Sequence, residues 1–224
     1  TVTNCFNSGS VNGTKDYVGG VAGYISGTVT NCSSSGCVNG SKDVGGIAGY
    51  ISGTLTNCQN SGSVTGSGVD SYCGGIVGYN EGTVMNCQNN GIISASSKTG
   101  GIVGFNYGAV QYCYNTGVIN CGVFGGGITG YNQGLNRTVL IQYCYNLANV
   151  NGGSNDYIGG LVGCNNAFNG SAKVEYCYNA GSVSGGNNVG GLVGSNEKYS
   201  DTAIPLIQYC YNAGRLTPVY KTGG

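Results

Sequence analysis

Twelve cysteines and eight carboxylates carry most of the chemical reach of this 224-residue chain, which contains no histidine. Eight of the cysteines recur in the pattern Cys-x-Asn-x-Gly, at Cys5, Cys32, Cys58, Cys87, Cys113, Cys144, Cys177 and Cys210. The asparagine of the pattern is Asn7, Asn60, Asn89, Asn115, Asn146, Asn179 or Asn212; Ser34 is the one departure, and Ala148 alone replaces the glycine. Cysteines spaced about thirty residues apart are not the close pairs that bind zinc, and no imidazole accompanies them. No metal and no cofactor are therefore expected. On adjacent parallel strands, equivalent cysteines stand ~4.8 Å apart with parallel Cα–Cβ vectors, outside the roughly 3.5–4.5 Å Cβ separation of a disulfide. The expected arrangement is a ladder of buried free thiols acting as small hydrophobes. Cys37, Cys73, Cys121 and Cys164 lie off the ladder and are the candidates for a disulfide or a reactive thiol.

Among the carboxylates, Asp16, Asp43 and Asp70 precede successive double glycines and are 27 residues apart each time. Stacked on neighbouring turns of a solenoid, two of them would stand ~5 Å apart, the spacing of a retaining glycosidase. Asp156 recurs in an equivalent loop, however, and Lys15 and Lys42 adjoin the first two. Aspartate is a common turn former, and that reading is preferred. No catalytic residue is assigned, and the chain is not read as an enzyme. The Gly-Gly-x-Gly-x-Asp pattern of calcium β-rolls is absent. Thr-x-Thr, a spacing suited to ice binding, recurs at Thr1–Thr3, Thr28–Thr30 and Thr54–Thr56 but fails at Met85, and reads as ordinary strand composition.

From Tyr112 onward the residues flanking the cysteine become aromatic: Tyr112 and Tyr114, Tyr143 and Tyr145, Tyr176 and Tyr178, Tyr209 and Tyr211. With the cysteine facing inward, a period of two turns both neighbours outward. The apolar residue three before each cysteine (Val29, Val84, Val110) conflicts with strict alternation, so a bend is expected, with one tyrosine at a corner. Two readings stand. The tyrosines stack over the coil edges without a ligand, or they form an exposed strip beside Gln111, Gln142 and Gln208 that holds sugar rings or a protein partner.

These side chains need a scaffold that repeats with them. Gly-Gly-aliphatic-x-Gly occurs seven times, starting at Gly19, Gly45, Gly74, Gly100, Gly126, Gly159 and Gly190, and alternates with the cysteine pattern. A period of 26 to 33 residues signals a solenoid, a propeller or an array. Each repeat reads as three short strands: one before the cysteine, one after the Asn-x-Gly turn, and the double-glycine segment. A propeller blade needs four strands and ~40 residues, more than the repeats supply. The prediction is an all-β fold, a single parallel β-solenoid (β-helix) domain over residues 1–224, with about seven coils. It is expected to be right-handed, because parallel crossovers nearly always are. At ~4.8 Å per coil it forms a rod roughly 35 Å long. Asn-Gly pairs such as Asn12-Gly13, Asn39-Gly40 and Asn90-Gly91 are expected to supply corners at φ > 0. The aromatic after the third glycine (Tyr24, Tyr50, Tyr79, Phe105, Tyr131, then Cys164 and Ser195) predicts a stack that ends toward the C-terminus.

Composition narrows the partners. The chain has 46 glycines, 7% charged residues and zero formal net charge. It lacks the basic face that nucleic acid requires, and no apolar run approaches the ~20 residues of a membrane span, so neither nucleic-acid binding nor membrane insertion by this segment is expected. The chain opens inside a repeat without a signal peptide, which reads as a segment joined to further domains of a larger protein.

With Gly-Gly-Ile-Val-Gly and Gly-Gly-Leu-Val-Gly alternating with Cys-Tyr-Asn-x-Gly, residues 1 to about 214 resemble the GLUG-repeat family. Those repeats occur in bacterial surface proteins, including adhesins and the non-catalytic regions of immunoglobulin A peptidases. The resemblance implies a cell-surface or secreted setting and either of two roles: adhesion to a host or matrix glycan or protein, or a spacer that holds another domain. A peptidase of that kind would carry His-Glu-x-x-His, which this histidine-free chain cannot. Longer loops at Asn132–Ile141, Asn165–Val174 and Asn196–Ile207 gather at one corner of the late coils and favour adhesion.

Overall fold

Each sub-motif of the sequence holds a fixed place on a coil, because its side chains pack against copies of themselves in the coils before and after. The computed structural model describes residues 1–218, and among these there is no helix. Five parallel sheets, here numbered in the order in which each coil visits them, hold eight, eight, eight, seven and seven strands. Sheet 1 runs from Val2–Thr3 to Ile204–Gln208, sheet 2 from Phe6–Asn7 to Tyr211–Asn212, and sheet 3 from Val11–Asn12 to Leu216–Pro218. Sheet 4 runs from Val18–Gly19 to Val189–Gly190, and sheet 5 from Ala22–Ile25 to Val193–Lys198. The three strands read from sequence are present as sheets 1, 3 and 5. The two residues after each cysteine add sheet 2, and the double glycine splits its segment into sheets 4 and 5.

Sheet 1 strands end at a residue in the left-handed region: Asn4, Asn31, Asn57 and Asn86, then Tyr112, Tyr143, Tyr176 and Tyr209, all with φ of 53–56°. This is the bend that lets Val29 and Cys32, three residues apart, both face the core. The Asn-Gly pairs play no such part: among the described glycines only Gly153 has positive φ, and Asn12 and Asn39–Gly40 lie within strands. The expected corner therefore sits before the cysteine. Asparagine adopts this conformation readily; for tyrosine it is uncommon.

A left-handed residue interrupts the ladder of backbone hydrogen bonds, and the thiols fill the gap. The N–H groups of Cys5, Cys32, Cys58, Cys87, Cys144 and Cys177 each donate to the Sγ of the next coil's cysteine at 3.3–3.4 Å. In turn the thiols of Cys87, Cys113 and Cys177 donate to the carbonyl two residues back at 3.1 Å. The ladder cysteine is thus a polar partner as well as a small hydrophobe.

Two residues later the asparagines form a buried column. Asn60, Asn89, Asn115, Asn146 and Asn179 each donate amide to amide to the next coil, ending at Asn212, at 2.8–2.9 Å. Asn115 also donates to Gly117 O at 2.8 Å and accepts from Gly117 N at 3.2 Å. All four hydrogen-bonding positions of its amide are occupied. The second glycine of the double pair packs directly on this column. A Cβ on Gly101 would fall 2.2 Å from Gly127 O and 2.5 Å from Asn115 Cγ, which no side chain can tolerate. This contact forms a waist between two apolar cores. One contains Val29, Leu55, Ile76, Ile102 and the thiols; the other lies between sheets 3 and 4, around Val38, Val64, Ile93 and Cys73.

Replacing Asn115 by alanine orphans groups in two neighbouring amides and in the Gly117 peptide, each costing ~1–3 kcal/mol if left unpaired. Asn115→Ala is expected to lose about 3 kcal/mol or more, read from the urea midpoint, and Asn115→Asp, which cannot donate, at least as much. A loss below ~1 kcal/mol would show that the column is not structural.

Candidate functional site

The eight tyrosines singled out from sequence come together as two parallel columns on either side of the cysteine ladder. The corner column joins Tyr112 to Tyr143, Tyr176 and Tyr209 with ring centroids 4.9–5.2 Å apart and planes within 18°. The sheet 2 column joins Tyr114 to Tyr145, Tyr178 and Tyr211 at 4.9–5.2 Å. The corner column is exposed along its length, from 42% at Tyr143 to 69% at Tyr209. Because each ring lies flat on the next, the columns present ring edges and hydroxyls to solvent, and full ring faces only at their ends. A sugar ring cannot lie on a face that another ring covers. What the strip offers is a comb of phenol groups. Desolvation, then the neighbouring phenols, pushes the Tyr145 and Tyr176 hydroxyls above the usual phenol value, so these hydroxyls are neutral donors at neutral pH.

A third column adjoins the corner tyrosines. Gln111 Nε2 donates to Gln142 Oε1 at 3.2 Å, and Gln142 Nε2 to Glu175 Oε2 at 3.3 Å. Gln208 Nε2 donates to Glu175 Oε1 at 2.7 Å, so the carboxylate is held by an amide on each side. The next outward column on sheet 1 is Leu140, Lys173 and Leu206.

That column belongs to the segments expected as loops, which are in fact strands. Sheet 5 lengthens to Thr129–Leu135, Val162–Phe168 and Val193–Lys198, and sheet 1 to Thr138–Gln142, Ser171–Glu175 and Ile204–Gln208. Together they form a fin of three stacked layers, closed by Val139, Ala167, Ala172 and Ala203 and turned at Asn136 and Asn169 with φ of 54° and 50°. Residues of matching length in successive coils pair strand to strand, so the insertion adds sheet. The tyrosine strip and the sheet 1 side of the fin make one continuous surface.

A second asparagine column, not foreseen, holds the base of the fin. Asn80, Asn106, Asn132 and Asn165 each donate to the next, ending at Asn196, at 2.7 Å each. The signal was present in the asparagine that follows the aromatic in Gly-Tyr-Asn and Gly-Phe-Asn. The predicted aromatic stack on sheet 5 runs from Tyr24 through Tyr50, Tyr79 and Phe105 to Tyr131, and gives way to Cys164 and Ser195 in register.

The aspartates do not stack. In register, Asp43 faces Tyr72 and follows Tyr17, while Asp16 and Asp70 lie one and two residues off that line. The even spacing of 27 is a coincidence, because the double glycines step by 26 and then 29. Nor is Asp43 a solvated turn residue: it is 3% exposed, and its Oδ1 has no hydrogen-bond partner. Burial pushes its carboxyl up to about 6, opposed by Lys42 and assisted by Asp16. Of the off-ladder cysteines only Cys37 is exposed, and Cys73, Cys121 and Cys164 are buried on sheets 4, 3 and 5. Burial pushes each of those three thiols up to about 12, which removes their reactivity at neutral pH.

Comparison with known proteins gives no matching family model, curated protein or solved structure.

Two outcomes follow from these burials. All twelve cysteines are free in the structure, and only Cys5 and Cys37 are exposed. A thiol reagent is expected to label those two quickly in the folded protein and all twelve after unfolding without reductant; ten or more blocked thiols would overturn the ladder. For Asp43 the folded value lies above the unfolded 3.8. Its contribution to stability is therefore fully present below pH 3.8 and is lost as pH rises through about 6. Asp43→Asn is expected to flatten that fall and to raise the Tm at pH 7.5 by about 2–4 °C, as ~1 kcal/mol does in a domain of this size. A lower Tm at pH 7.5 would contradict the reading.

Proposed function

We propose that this solenoid is a non-catalytic binding module of a bacterial surface protein, and that it adheres to a host or matrix glycan or protein through the tyrosine strip and the fin. The observation that carries the reading is the coincidence of two departures from the repeat. The tyrosine columns begin at Tyr112, one coil before the first layer of the fin, and both continue to the last coil on one shared face. Exposed aromatic hydroxyls, amide groups and apolar side chains such as Ile204 on one surface suit recognition. Interior packing alone needs none of them. Chemistry at the strip has little to work with: its carboxylate, Glu175, is held by two amides, and the adjacent ladder thiols Cys113, Cys144 and Cys177 are buried, with Cys210 half-buried. The GLUG-like motifs support the surface setting.

The first four coils supply the control. They carry asparagine at the same left-handed corner, so Tyr112/Tyr143/Tyr176→Asn keeps a residue suited to φ > 0. On a glycan and extracellular-matrix array the wild type is expected to bind, and this variant, folded by circular dichroism, to lose at least tenfold in affinity. If no ligand binds, and deletion of one coil from the intact protein leaves cell attachment unchanged, the module is a spacer and the adhesion reading fails.

A further inference from the structure

Sheet 4 carries a row of side chains on its outer side, one per coil: Tyr17, Asp43, Tyr72, Lys98, Phe124, Tyr157 and Asn188. Two charged residues interrupt the aromatics, and the structure shows how the second is accommodated. Lys98 Nζ lies 5.0 Å from the Tyr72 ring centroid and 5.7 Å from that of Phe124, an ammonium held between the rings of the coils before and after.

Asp43 occupies the same kind of gap, between Tyr17 and Tyr72, with the opposite charge. Two coils separate those rings, a span of ~9.6 Å. Aspartate is too short to fill it. What remains is a cavity of about 380 Å³ walled by Tyr17, Tyr50, Tyr72 and Tyr79, with Lys42 and Glu81 beside it. Glu81 Oε2 accepts from the Tyr50 hydroxyl at 2.7 Å, so a second carboxylate is fixed at the wall. Asp43, 97% buried, leaves Oδ1 without a donor. Asp43 lines this cavity, and a buried acceptor without a partner calls for one.

We propose that this slot binds a protonated primary amine from outside the chain, its N–H groups donating to Asp43 and its charge resting against the Tyr17 and Tyr72 rings. The ligand's ammonium takes the place in this gap that Lys98 takes in the next. An acceptor at the base selects for a cation that carries N–H, because a quaternary ammonium satisfies the rings but not Asp43. Lys42, whose Nζ is 6.0 Å from the Tyr72 centroid, is exposed and swings outward as the amine enters. The slot lies on sheets 4 and 5, away from the tyrosine strip, and does not depend on the adhesion reading.

Titration of the folded protein with n-butylammonium, followed through the NMR signals of the tyrosine rings, is expected to saturate. Tetramethylammonium is expected to bind at least tenfold more weakly, and n-butanol not at all. Asp43→Asn should weaken n-butylammonium at least tenfold while its melting curve shows a folded protein. Lys42→Gln, which removes a like charge, should tighten binding severalfold. Nα-acetyl-lysine amide and glucosamine, run alongside, distinguish a lysine side chain from an amino sugar as the source of the amine. The proposal is overturned if the wild type does not bind, if Asp43→Asn binds unchanged, or if tetramethylammonium binds as well as n-butylammonium. Binding by Lys42→Gln alone would also overturn it, because the chain's own lysine would then fill the slot.

Discussion

Every side chain in a parallel solenoid must coexist with its counterpart ~4.8 Å above and below it. That constraint explains the composition more fully than any propensity does. Asparagine satisfies it because its amide is both donor and acceptor, so a column of copies closes head to tail, as it does from Asn60 to Asn212. Aspartate in the same column would place like charges one coil apart with no donor between them. Thiols, flat rings and small aliphatics also tolerate their own copies. Charges do not, and the chain holds only 7% of them. Where charge does enter a column it enters singly among neutral neighbours: Glu175 between Gln142 and Gln208, Asp43 between Tyr17 and Tyr72.

The same constraint couples distant parts of each coil. The asparagine column can be continuous only if nothing intrudes on it, and the second glycine of each double pair leaves that space. The left-handed corner can persist from coil to coil only if the stranded cysteine N–H finds an acceptor, which the next thiol supplies. Each coil therefore completes its neighbour, and stability resides in the interfaces between coils more than within any one of them.

This explains how much of the fold could be read in advance. A role that recurs in seven or eight coils is printed seven or eight times, so the parallel solenoid, the thiol ladder and the Asn7-to-Asn212 column were all legible. The failures came from measuring spacing within the chain and not from the double glycine. Counted that way, Tyr17, Asp43, Tyr72 and Lys98 each fall two residues before a double glycine and form one row, while Asp16 and Asp70 drop out of it. The Asn-Gly pairs misled because their preference for φ > 0 was formed in isolated turns; here a pair such as Asn39-Gly40 runs on as strand. The fin was visible only as added length. Alternation in Thr138–Gln142 signals a strand, but only pairing with a neighbour of equal length makes it one.

Function in such a molecule has to be sought where the repetition fails. In a column that continues unchanged each side chain already has its own copies as partners, and only edges and end groups are left over for a ligand. The tyrosine columns make the point within one strip: stacking covers their faces, so in the proposed adhesion recognition along their length would fall to hydroxyls and edges, with the fin supplying the apolar surface that the rings cannot. Asp43 makes it more sharply. It breaks an aromatic row, leaves a ring-sized gap, and keeps an oxygen without a donor. A burial that raises its carboxyl to about 6 is unfavourable for the fold at neutral pH, and no contact within the chain offsets it at Oδ1. An unfavourable group held in place by the two most regular features of its surroundings, the double glycine behind it and the tyrosine stack beside it, is what a preorganised binding site requires.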